Sequence, residues 1–149
     1  MAATAAWGQL RDFERYAATD HFHADIQIDG GRPRSGARIE MTHRYLGIAL
    51  TRVGRIVRWV EAPHDRPGFA FSDLSRRGTT VAFPHVLSMT LRDTTDGCTL
   101  RIRVGGRWTS PVPRWAARLW LRWVFAHIVC TTSARLLAYA VWRSSRPKP

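Results

Sequence analysis

The stretch from Pro111 to Arg143 leaves this chain the fewest options. It holds four of the seven tryptophans, at 115, 120, 123 and 142. Pro111 and Pro113 stand at its start, where proline suits the first turn of a helix. No proline or glycine interrupts it again until Pro147. The spacing predicts one helix of about 30 residues, roughly 45 Å long at 1.5 Å per residue. Arg114, Arg118 and Arg122 recur every fourth residue and share one face near its start. Beyond them the segment is apolar nearly all round, through Val124, Phe125, Ile128, Val129, Leu136, Leu137, Tyr139 and Val141. A helix of that kind is buried in something. Either it crosses a membrane, or a sheet wraps around it.

The charge-free run covers only Trp123 to Ala134 and contains His127, Thr131, Thr132 and Ser133. A crossing helix needs about 20 apolar residues. Arg118, Arg122 and Arg135 would lie at or near bilayer depth, at roughly 3 kcal/mol each. A curved sheet supplied by the rest of the chain is the better home for the helix.

The preceding residues supply that sheet. Trp7, Leu10, Phe13 and Tyr16 recur at three-residue spacing within Ala5–Ala18, which reads as one or two short amphipathic helices. From Asp20 the pattern changes to period two. Phe22, Ala24, Ile26 and Ile28 alternate with His21, His23, Asp25 and Gln27 in a first, half-buried strand. After a Gly30-Gly31 to Gly36 turn, Ala37–Leu46 sets Ile39, Met41, His43 and Tyr45 on one face. Ile48–Glu61 places Val53, Arg55, Val57 and Trp59 in one phase, with Gly47 and Gly54 able to bend or bulge the strands. Phe69, Phe71 and Asp73 share the inner face of a fourth strand. Thr80–Leu91 is the clearest strand, with Val81, Phe83, His85, Leu87, Met89 and Leu91 at strict period two. An Asp93–Gly97 hairpin leads to a sixth strand through Leu100, Ile102 and Val104 to Trp108. Residues 144–149 form a polar tail expected to be disordered.

Strands in sequence followed by one helix specify a single α+β domain, 1–149, with the helix packed on one sheet face. Cys98 and Cys130 lie far apart without metal spacing, which fits reduced thiols in a cytoplasmic protein. The opening Met-Ala-Ala-Thr-Ala-Ala is too short and too weakly apolar for a signal peptide. His21 and His23 form an H-x-H pair with nothing placed to complete a metal site, so neither metal nor cofactor is expected. Phosphate-loop, GxSxG and HExxH motifs are absent. The net charge of +12 is nearly all arginine, as a GC-rich bacterial genome would produce. The arginines are scattered without a dense run, which argues for a solvated basic surface and against a nucleic-acid footprint.

The layout resembles the helix-grip fold of the SRPBCC superfamily of polyketide cyclases, lipid-transfer proteins and birch-pollen-allergen-like proteins. The resemblance covers nearly the whole chain. Its marks are Trp7 through Phe13 to Tyr16, the glycines at 30, 31 and 36, and Gly97 followed by Thr99-Leu100-Arg101. The family usually opens with a strand, which Met1–Ala6 do not supply. A missing strand would leave a sheet edge unpaired, through which two copies could pair.

What the resemblance implies is a hydrophobic cavity between sheet and helix, binding a lipid, polyketide or similar apolar molecule. Strand parity supplies the candidate lining. Tyr45, Arg55, Trp59, Phe71 and Phe83 are expected in the wall, with His85, Trp108, Trp123 and His127 completing it. His43, Asp73 and His85 are the candidates for chemistry, with Asp73 and Arg55 as the natural ion pair, because a buried charge must be paired or solvated. If the cavity groups act on their ligand, the reaction is a cyclase-like ring closure with histidine moving a proton. A third reading docks Arg114, Arg118, Arg122 and the tryptophans transiently on an anionic membrane surface.

Overall fold

The computed structural model describes residues 1–13, 15, 23–45, 47–64, 66–73, 85–106 and 113–144. Of the side chains at 23, 24, 45, 48, 50, 73, 85, 106, 117, 143 and 144, only the backbone position is described. The elements are α1 (Ala3–Leu10), β1 (His23–Ile28), β2 (Arg38–Tyr45), β3 (Ile48–Val60), β4 (Gly68–Asp73), β5 (His85–Thr94), β6 (Gly97–Gly106) and α2 (Arg114–Ser144). The six strands form one antiparallel sheet in sequence order, each paired with its chain neighbour. Each strand is therefore followed in the sheet by its antiparallel chain neighbour, the simplest order for consecutive strands.

Register shows how the inner face is built. Trp59, Phe69, Met89 and Ile102 pair across β3 to β6 in one row. Ile56, Phe71, Leu87 and Val104 form the next. Then come Ile39, Gly54 and Asp73, and after them Met41 with Arg52. His43, between His23 and Leu50, closes the series. The opposite face carries polar pairs, including Thr42 with Thr51, whose hydroxyls lie 3.0 Å apart, and an ion pair between Arg38 and Glu40.

β3 departs from its expected phase. The alternation predicted Val53, Arg55, Val57 and Trp59 together on the inside. In the structure Ile56 is fully buried, and Arg55 and Val57 are exposed. The pairing shifts between Ile56 and Arg58, a bulge that leaves Val57 unmatched. One extra residue reverses the parity of everything beyond it. Trp59 faces inward because of the bulge, and counting back from it puts the first half of the strand inside out.

α1 begins two residues before the predicted stretch. Ala3, Ala6, Trp7 and Leu10 are its buried residues, at the i, i+3, i+4, i+7 spacing of one helix face. The backbone N–H of Ala3 donates to Asp93 Oδ1 at 2.7 Å, so a carboxylate from β5 meets the positive end of the helix. Trp7 packs on Trp59 with ring centroids 4.9 Å apart. Phe13 meets Phe69 edge-on at 5.1 Å.

α2 touches this core along a narrow stripe. Ile128 joins Trp7, Phe69, Met89 and Leu91, with Val124 and Leu136 packed against them. Thr132 is fully buried between. Arg135 donates to the Asp12 carbonyl at 3.2 Å, tethering the helix to the segment after α1. The expectation of burial all round does not hold. Only 11% of the residues in its most apolar window are buried. The 29-residue segment Arg114–Trp142, whose most apolar window has a mean hydropathy of 1.4, has the length and composition to cross a membrane, which the charge-free run alone lacks. That property is shared by core helices of proteins that never enter a bilayer.

Candidate functional site

The inner face of the sheet is divided along its strands. One end is apolar and closed. There Trp7 and Leu10 of α1, Phe13, Trp59, Phe69, Met89, Leu91 and Ile128 make one cluster. Its rim is fixed by Glu61, which takes a bond from each of two indoles, Trp7 Nε1 at 2.8 Å and Trp59 Nε1 at 2.9 Å. Arg11 adds an ion pair at 3.0 Å. Partial burial alone would raise the Glu61 carboxyl, but those three donors and the arginine's charge outweigh it and hold the group below the usual glutamate range.

The other end is where ionisable groups gather. His43 on β2 is 6% exposed, and Arg52 on β3 is 9% exposed. Arg52 pairs in register with Met41, two residues from His43 on the same face. Asp73 pairs with Gly54, which makes it the diagonal neighbour of Arg52, about 7–8 Å away and within an arginine's reach. Ser72 pairs with Val86, and Asp73 and His85 are the next residues along each strand. Between the two ends run Ile26, Ile39, Met41, Ile56 and Phe71, a second buried cluster.

The residues expected to line a cavity are placed as follows. Phe71 is buried at the middle of the inner face. His43, and the backbone positions of Asp73 and His85, fall at its polar end. Tyr45 ends β2, paired with Ile48. Phe83 and Trp108 lie outside the described residues. Trp59 is core at the closed end, in contact with Trp7, Phe13 and Phe69. Arg55 is opposite Ser72 on the outer face, so it does not share a face with the Asp73 position, and the expected pair is not formed that way. Trp123 is 55% exposed and lies about 140° around the helix from Ile128, too far to face the sheet. His127 is half-buried and stacks on Trp123 with centroids 6.0 Å apart, on the flank of α2.

Arg52 is the residue the sequence reading missed. The signal was present: Gly54 and Ile56 continue its phase, and an apolar isoleucine is a surer guide to burial than the valines beside it. Separately, an open groove of about 720 Å³ lies between Ala5, Gly8 and Gln9 of α1 and Tyr139 and Trp142 of α2. It is outside the sheet–helix interface. Among the described residues no group of three or more His, Cys, Asp or Glu could hold a metal ion.

No family model matches the chain, and no curated protein matches it in sequence. A search of solved structures finds the crystal structure of Ara h 8.0201 with a TM-score of 0.69 over 91% of both chains, at 12% identity. At that identity the likeness is one of fold. This chain therefore has a helix-grip fold like that of Ara h 8.0201, with a short helix ahead of its first described strand.

Proposed function

We propose that the chain binds an amphipathic small molecule between the sheet and α2, its apolar body along Met41, Ile56 and Phe71 and its polar head at Arg52 and His43. The observation that carries this reading is the placement of Arg52. An arginine keeps its charge under all ordinary conditions, and burying it on an apolar sheet face costs several kcal/mol unless an anion meets it. A ligand carboxylate or phosphate would meet the guanidinium in a two-point fork. An apolar pocket with a few convergent polar groups is the usual form of a small-molecule site. The likeness in fold supports hydrophobic-ligand binding in general.

Two-dimensional amide NMR with a long-chain fatty acid tests it. Shifts concentrated at Met41, Arg52, Ile56 and Phe71, with Arg55, Val57 and Val86 unmoved, are the expected result. Shifts confined to outward positions would refute the reading. Native mass spectrometry of protein purified from its own host would then identify what occupies the site.

A further inference from the structure

The outward side of α2 is the largest apolar feature left open among the described residues. Of the exposed large hydrophobic residues, all but Met1, Val57 and Val86 lie on this helix. Leu119 and Leu137 are both about 180° around the axis from Ile128, the residue that grips the sheet. Trp115, Trp123 and Val141 lie within about 40° of them. Trp115 is 68% exposed and Leu137 66%. The stripe from Trp115 to Val141 is about 39 Å long. Alongside its first third runs a second row. Arg114, Arg118 and Arg122 are all exposed and each precedes a member of the apolar row, so the two rows lie about 100° apart.

An apolar face must be covered by something, and charge selects what. α2 contains no acidic residue along its 31 positions. The chain as a whole carries +12. A second copy docking helix to helix would set one arginine-bearing, acid-free surface against another. An anionic lipid surface instead offers negative charge to the arginines and an apolar layer, just beneath, to the tryptophans and leucines. Tryptophan in particular settles at that boundary. We propose that α2 docks lengthwise on anionic membrane surfaces through Trp115, Leu119, Trp123 and Leu137, with Arg118 and Arg122 on lipid headgroups. The sheet-facing stripe stays on the protein, so the helix lies in the interface and does not cross it.

This inference is independent of the ligand site, and Arg52→Met should leave it intact. The test is flotation with phosphatidylcholine vesicles, with and without phosphatidylglycerol. The expected result is binding to the phosphatidylglycerol vesicles that weakens with added salt, accompanied by a blue shift of tryptophan emission. Arg118→Gln with Arg122→Gln should lower partitioning roughly 30-fold, about fivefold for each charge lost near the surface. Trp115→Ser with Leu119→Ser should lower it at least as far without changing the melting temperature. Arg101→Gln with Arg103→Gln, on the outer face of the sheet, removes the same charge elsewhere and should change binding by less than about fivefold. The proposal is overturned if the sheet variant loses as much as the helix variant, which would mean bulk charge alone. It is overturned equally if binding resists both salt and alkaline washing, which would mean a crossing helix, or if the Trp115/Leu119 variant abolishes a dimer and leaves flotation unchanged.

Discussion

Trp7 and Glu61 are joined by an indole N–H bond of 2.8 Å that spans 54 positions of sequence and ties α1 to the end of β3. Trp59 donates to the other oxygen of the same carboxylate. One exposed-edge acid thus holds two indoles at the angle in which they pack, 4.9 Å between centroids. The closed end of the sheet depends on that geometry.

Replacing Glu61 by Gln should therefore destabilise the domain. The expected loss is about 1 kcal/mol, at the low end for charge-assisted bonds because the Glu61 side chain is 46% exposed. The loss is pH-dependent with a definite sign. The folded state holds the carboxyl below its ordinary range, so its contribution is complete above roughly pH 4.3, the unfolded value. It fades as pH falls through the lower folded value. Melting curves of both proteins from neutral to acid pH check this: the gap should shrink only on the acid side.

The two faces of α2 should respond oppositely to truncation. Ile128→Ala opens a void in the main cluster and should cost about 2–4 kcal/mol in urea unfolding. Leu137→Ala, on the exposed side, should stay within about 0.5 kcal/mol of the parent. Equal effects would mean that the helix is not gripped along the Val124, Ile128, Leu136 stripe.

Gly68 is packed where no side chain fits. A Cβ there would meet the Met89 carbonyl oxygen and Thr90 Cα, both backbone atoms of the paired strand. Since backbone cannot swing aside, Gly68→Ala should cost about 3 kcal/mol, at the upper end for overpacking. Gly8→Ala, in α1 with nothing within 4 Å, should instead be neutral or stabilising by about 0.5–1 kcal/mol, as helix propensity dictates. Thermal unfolding of the two variants compares them directly.

The cysteines should differ in reactivity. Cys130 is exposed on α2, whereas Cys98 is half-buried in β6 and burial pushes its thiol up. Since the thiolate is the reacting form, Cys130 should be labelled by a maleimide several times faster than Cys98 at neutral pH. Peptide mass mapping over time gives both rates.

The outline of the fold was legible because each element announces itself locally. Period two at Ile39, Met41, His43 and at Leu87, Met89, Leu91 specified β2 and β5, and the uncharged stretch of α2 demanded a sheet to lie on. What was not legible arises from pairing. Gly54 allowed a bulge in this strand, but nothing local placed it at Val57, where the pairing of β3 with β4 shifts. Its consequence was to exchange Arg52 and Arg55 between faces. Likewise the apolar character of α2 said that it must be covered, but not that the described residues cover only one stripe. Trp123 and His127 therefore fall away from the sheet-facing stripe, whereas Phe71, set by simple alternation with Ala70 and Ser72, lies on the inner face.

The most direct test of the binding account is calorimetric titration with two amphiphiles of equal chain length, one ending in a carboxylate and one in an alcohol. The parent protein should bind the carboxylate at least tenfold more tightly, Arg52→Met should erase that preference while still binding both, and Arg55→Met should preserve it. Absence of binding to either amphiphile, or a preference that survives the loss of Arg52, would contradict the account.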